Sequence, residues 1–206
     1  YEVETISAAQ LRLAVPPRAA DYEVAAVPRS IPTDARLLSF MPHMHLRGKS
    51  FRYDVEFPDG RRRCVLQIPS YDFNWQTEYW LKEPLRLPAG TRVHATAHFD
   101  NSEANLNNPD PDQTVRWGEQ TWDEMMIGYF TIAVSKSAAE RRRRERASID
   151  PRARRLFERL DRNRDGMLTR EEIPRKSRQH FRRTDRNGDG IVSLKELADF
   201  LSSRSK

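Results

Sequence analysis

Residues 87–99 read LPAGTRVHATAHF. The opening Leu87-Pro88-Ala89-Gly90 has turn chemistry, with proline presetting one backbone angle and glycine free to reverse the chain. From Arg92 to Phe99 the side chains alternate. Val93, Ala95, Ala97 and Phe99 share one face and His94, Thr96 and His98 the other, the period of a strand with one side in a core. Phe51 to Phe57 alternates too, Pro58-Asp59-Gly60 supplies a turn, and Arg63 to Ile68 returns as an extended apolar run, together a hairpin. Met126 to Val134 forms a last strand. Short strands punctuated by Pro and Gly predict a mainly β fold, with an antiparallel β-sandwich over residues 1–135.

The segment DNSEANLNNPDPDQTVR, residues 100–116, is too polar for a strand and too rich in Asn, Asp and Pro for a helix. A loop this long inside a compact domain is uncommon unless functional or disordered, and Trp117, Gly118 and Trp122 just beyond it predict that it packs back onto the domain.

At 206 residues, 24.1 kDa, 37% hydrophobic and 32% charged, the chain can fill one core of ordinary size and carry an appendage. No run approaches the roughly 18 apolar residues of a membrane span. The net charge of +6 averages two unlike parts: residues 1–135 hold 14 basic and 18 acidic side chains, residues 136–206 hold 22 and 12. Thirty of the 36 cationic residues are Arg, a compositional habit, and AAERRRRERA (138–147) has no aromatic neighbours on which bases would stack. Residues 136–150 therefore read as a charged helical linker, with no nucleic acid among the expected partners. The single cysteine, Cys64, excludes an intramolecular disulfide. The chain opens at Tyr1 within polar sequence, with no leader pattern, so it is expected to be a segment of a longer protein.

Residues 161–172 read DRNRDGMLTREE and residues 185–196 read DRNGDGIVSLKE. Both match the twelve-residue calcium loop. Asp161, Asn163 and Asp165 in the first, and Asp185, Asn187 and Asp189 in the second, put oxygens at positions 1, 3 and 5 around a hard cation. Gly166 and Gly190 make the sharp turn, the Met167 and Ile191 carbonyls contribute at position 7, Thr169 and Ser193 stand at position 9, and Glu172 and Glu196 close the sphere bidentately. Leu156, Phe157 and Leu160, then Phe181, then Leu197, Phe200 and Leu201 supply flanking helices. Residues 151–206 thus resemble a small α-helical EF-hand pair. Only IPRKSRQHFRRT separates the loops, and Pro174 lies inside it, which predicts a compact pair with a trimmed middle helix.

His43 and His45 in MPHMHLRGK stand at i and i+2 of an extended segment, so their imidazoles can meet one metal ion. Alone, such a pair is more often two unrelated surface or core side chains. The order His-X-His, Gly48-Lys49, the hairpin at Pro58-Asp59-Gly60, the strand ending at Phe99, and Asp123-Glu124-Met125 before Gly128-Tyr129 resembles the C-terminal domain of the copper type II ascorbate-dependent monooxygenases. That family includes peptidylglycine α-hydroxylating monooxygenase and dopamine β-monooxygenase. The resemblance covers about residues 30–135 and is carried chiefly by HMHLRGK and DEMMIGY. It implies a β-sandwich whose catalytic copper is held by His43, His45 and the Met125 thioether. A soft thioether beside two imidazoles suits Cu(I), and three protein ligands leave a position open.

The family's disulfide falls at positions that here hold His98 and Met126, so His98 stands either as an added copper ligand or as a filler of the vacated space. The family also uses a second, histidine-bound copper in an N-terminal domain to pass electrons from ascorbate, and no histidine precedes His43. The expectation is therefore the oxygen-activating domain of a monooxygenase-like protein acting on an unidentified organic substrate, with the electron-delivery domain as its missing partner. The alternative is a non-catalytic copper or redox accessory or interaction module of a larger exported protein. Copper, calcium and ascorbate are the expected cofactors. Copper with dioxygen, and calcium loops that fill at high free calcium, suit an extracytoplasmic setting. No GxSxG, GxxxxGK[ST], GxGxxG or HExxH occurs, so serine hydrolase, P-loop, dinucleotide and zincin chemistries lack their motifs.

Overall fold

The computed structural model describes residues 1–162, 166–188 and 190–204, the side chains of Arg146 and Arg204 excepted. The chain forms two compact units, Tyr1–Ala138 and Ala139–Lys206. Strands β1 (Glu2–Ala9), β2 (Ala14–Val15), β3 (Tyr22–Ala25), β4 (Arg29–Ile31), β5 (Ala35–His43), β6 (Gly48–Glu56), β7 (Arg62–Ile68), β8 (Tyr79–Leu87), β9 (Thr91–Phe99), β10 (Val115–Arg116) and β11 (Ile127–Val134) build the first unit. One sheet runs β1-β11-β5-β8. The second runs β3-β9-β6-β7, with β4 also on β9, and β10 pairs β2 in a short ribbon. Every pairing between named strands is antiparallel.

The alternation of residues 92–99 has the expected result: Val93, Ala95, Ala97 and Phe99 are buried while His94, Thr96 and His98 point outward. The expected hairpin is β6–β7, which pair from Phe51↔Ile68 to Glu56↔Arg62. The two sheets close face to face, with the rings of Phe40 on β5 and Tyr53 on β6 centred 4.4 Å apart. The Tyr53 hydroxyl, buried by this packing, donates to the Tyr129 carbonyl at 3.0 Å, so its polar end is satisfied. Close approach of the sheets depends on Gly128, where a Cβ would stand 2.8 Å from that of Ala95.

The loop from Asp100 to Gln113 packs through its own amides. Asn101, fully buried, donates to the carbonyls of Pro16 and Gln113, and Asn105 donates to those of Leu46 and Asp100. Arg47, also buried, donates to the Asn101 side chain at 2.8 Å and to the Trp122 carbonyl at 2.9 Å, which ties the loop to the strand ends.

Helix α1 (Lys136–Ser148) carries the arginine run, and α2 (Pro151–Leu160) follows. Asp150 caps α2 by accepting the Arg152 N–H, and Pro151 occupies the first turn, where its missing donor costs nothing. A 3-10 turn, Arg175–His180, runs into α3 (Phe181–Thr184), the trimmed middle helix, and α4 (Leu194–Arg204) follows. Phe157, Leu168, Ile173, Phe181, Val192 and Leu197 form the second unit's own core. No described helix is long and apolar enough to cross a membrane.

Candidate metal centres

Strand β5 delivers His43 as its last residue, and the chain turns over His45 to enter β6, the Gly48 N–H reaching the His45 carbonyl. The rings of His43 and His45 lie edge to face, 5.1 Å apart. His43 Nδ1 meets Gln76 Oε1 at 2.5 Å, and His45 Nδ1 meets the Asp123 carbonyl at 3.4 Å. Each Nδ1 therefore faces an oxygen acceptor, which fixes its proton there and leaves Nε2 as the free lone pair, the usual state of a metal-binding imidazole. His45 is 4% exposed, and that burial lowers its pKa below the ordinary value, so the ring is neutral near pH 7.

His43 pairs with Ile127 on the last rung of the β5–β11 ladder, and just beyond it the backbone N–H groups of His45 and Met125 meet on one oxygen of Glu124. Met44 and Met126, one residue out of phase, are buried in the core. His98 is not brought to this pair. It lies on the outer side of β9, with Nδ1 3.1 Å from Asp21 and Nε2 3.5 Å from Glu23, so both ring nitrogens face carboxylates.

Several contributors went unrecognised in the sequence. The segment between β7 and β8 folds over the histidines: the Tyr71 hydroxyl donates to the Met44 carbonyl and accepts the Met44 N–H, and the Phe73 ring stands edge-on to His45 at 5.9 Å. The i, i+2 spacing of Tyr71 and Phe73 was their only sequence signal. Gly48 leaves room for this cover, since a Cβ there would come within 2.8 Å of both Met44 and Tyr71. Glu124, fully buried, accepts the N–H groups of His45, Arg47 and Met125. Burial pushes its carboxyl up to about 7 against the opposing pull of those donors and the Arg47 charge. Trp75 and Trp122, 71% and 61% exposed, belong to the two segments that supply Gln76 and Asp123.

In the second unit, Gly166 and Gly190 adopt positive φ angles of 77° and 85°, the turn that position 6 requires. Glu172 accepts the N–H groups of Arg162 and Thr169, and Glu196 those of Arg186, Asn187 and Ser193, so each acid at position 12 already closes its loop. Ser193 Oγ in return accepts the Glu196 N–H, completing a capping box at the start of α4. Asp185 Oδ2 accepts the Gly190 N–H while Oδ1 is buried without a hydrogen-bond partner, an orphaned acceptor that a cation would satisfy. Leu168 and Val192 exchange two backbone hydrogen bonds, 2.9 and 2.8 Å, that join the loops. Asp161, Met167, Glu172, Asp185, Asn187, Ile191 and Glu196 are all in loop positions; Asn163, Asp165 and Asp189 lie outside the described residues. Among the described residues no group of three or more His, Cys, Asp and Glu side chains forms a ready metal cluster.

No curated protein matches the chain. Solved structures resemble its fold loosely. Two are of infectious bursal disease virus, the Gt strain (12% identity, TM-score 0.34) and the Gx strain (13%, 0.32); each match covers 64% of this chain and only 32% and 31% of the viral chains. The cleaved adhesin domain of Lys-gingipain from Porphyromonas gingivalis matches at 16% identity and TM-score 0.24, over 64% of this chain and 74% of that one. The family model that matches is the EF hand, over residues 153–174 and 179–201. Residues 153–201 are an EF-hand pair, which implies calcium binding.

Proposed function

We propose that the β unit is a copper-binding, oxygen-activating module of a monooxygenase-like protein, carried with a calcium-binding tail. One observation carries the assignment: two imidazoles, each with Nδ1 on an oxygen acceptor, lie side by side where the backbone of Met125 meets that of His45 on one Glu124 oxygen. A thioether in that donor set favours copper(I), since zinc combines imidazole with thiolate or carboxylate and calcium takes oxygen ligands. Copper bound there would supply the one-electron chemistry that reduces dioxygen for insertion into a C–H bond, with ascorbate as the reductant. The chain's own part is positioning. Gln76 and the Asp123 carbonyl orient the rings, burial keeps His45 neutral, and Phe73 shields one side of it from water.

The other three histidines serve elsewhere. His94 bonds Glu56 at 2.8 Å, His98 lies between Asp21 and Glu23, and the His180 ring lies tilted against that of Phe200 at 5.8 Å. Among the described residues one pair of histidines is thus left for copper, and electron delivery falls to another domain or partner. An extracytoplasmic setting accompanies this assignment.

Metal titration of the full chain tests it. One copper ion per chain is expected, His43→Ala and His45→Ala each removing most of the affinity, and Met125→Ile weakening Cu(I) more than Cu(II). Three variants that bind copper like the parent would show that the site is elsewhere.

A further inference from the structure

We infer that Glu124 is the positioning residue that holds the two halves of the copper site in register, because one of its carboxylate oxygens receives the backbone N–H of both His45 and Met125. The inference rests on the copper assignment. His45 and Met125 are far apart in the sequence, and their backbones meet just past the point where β5 and β11 stop pairing. The last rung of that ladder is His43↔Ile127. Beyond it no backbone hydrogen bond joins the two segments among the described residues, and strands without rungs are free to splay.

Glu124 occupies that gap. Oε1 takes the His45 N–H and, at 2.9 Å, the Met125 N–H; Oε2 takes the Arg47 N–H at 3.0 Å. One carboxylate thus does the work of the missing rung and also fixes the turn after His45. Its own backbone is anchored, the N–H on the Arg116 carbonyl and the carbonyl on the Gly118 N–H, each at 3.2 Å. The residue is fully buried, so water does not compete for these bonds. No covalent strap can substitute, since the chain's one cysteine is the exposed Cys64.

The reach of the side chain is the testable quantity. Aspartate, one methylene shorter, cannot span both amides, whereas glutamine keeps an oxygen that can. In the full chain, Glu124→Asp, Glu124→Gln and Met125→Ile are compared with the parent by Cu(I) titration and by X-ray absorption, which distinguishes sulfur from nitrogen around bound copper. Near-ultraviolet dichroism follows the fold. We expect Glu124→Asp to lose the sulfur signal as Met125→Ile does, with Cu(I) affinity down about tenfold, the low end for groups that orient ligands. Glu124→Gln should keep the sulfur and bind within about threefold of the parent. A folded Glu124→Asp that keeps both sulfur and affinity overturns the inference and leaves the copper site standing. A Glu124→Asp that fails to fold overturns it too, because the carboxylate would then brace the whole sandwich and not the ligand pair. A parent chain that binds no copper removes the site itself, and the inference with it.

Discussion

Asp54 shows how one buried carboxylate makes the domain sensitive to acid. Its side chain is 5% exposed on the outer side of β6, where Arg52 grips both oxygens at 2.8 and 2.9 Å and Arg62 adds a third bond at 3.3 Å. The Arg52 hydrogen bonds, chief among the causes, hold its pKa below the ordinary 3.8 against the opposing effect of burial. A carboxyl depressed in the folded state stabilises the fold above its unfolded value, and that contribution is lost as pH falls through the lower folded value. Urea midpoints measured from pH 7 downward should therefore fall below about pH 4. Asp54→Asn, already unable to ionise, should be less stable at pH 7 and lose less on acidification. A variant whose acid profile superimposes on the parent's would show that other carboxyls dominate.

At the scale of elements, the edge strands differ from the inner ones in what they need. β8 carries Lys82, Glu83, Pro84 and Arg86, charges and a proline that deny its free side to another strand. β11 lies between β1 and β5 and is buried along nearly its whole length. Its Gly128 faces Ala95, Tyr53 and Phe51, with a hypothetical Cβ 2.8 to 3.2 Å from each. None of these neighbours has a flexible end that can move aside, since one is a methyl and two are rings in the core. Gly128→Ala should cost about 1–3 kcal/mol, the usual penalty of overpacking. Denaturant unfolding measures it directly. A neutral result would mean that the two sheets can part at no cost.

For the whole molecule, the charge division has a consequence for calcium. Residues 136–206 hold 22 basic and 12 acidic side chains, yet the loops need carboxylates around a divalent cation. The surplus of Arg opposes the ion, so calcium should bind more tightly as salt screens that repulsion. Calcium should also slow amide exchange in residues 151–204 much more than in the strands, because each loop orders around its ion. Glu172→Gln and Glu196→Gln should each weaken one site strongly by removing a bidentate ligand. Calorimetry at two ionic strengths together with amide exchange checks all three outcomes. No heat at millimolar calcium, or affinity that falls with added salt, would contradict them.

The sequence by itself determined the features that depend on local spacing. Alternation over residues 92–99 placed Val93, Ala95, Ala97 and Phe99 inside, because backbone geometry alone sends neighbouring strand residues to opposite sides. The calcium loops were legible for the same reason, since their oxygens lie within twelve residues and glycine at the sixth supplies the turn. β1, with EVETISAA, and β8, broken by Pro84, were not legible, because edge strands bury too little to leave a pattern. Tertiary structure alone decided the rest of the candidate site. Packing of β5 against β11 sent Met44 and Met126 to the core and brought the Met125 backbone to that of His45 through Glu124; Gln76 and Phe73 reached the histidines, and Tyr71 the Met44 between them, only because the segment after β7 folds over them. His98 shares its strand's outward phase with His94, but which carboxylates it met was decided by β3 lying alongside β9. Register and cover are settled by the packing of the whole core, and no local period encodes which distant segments will meet.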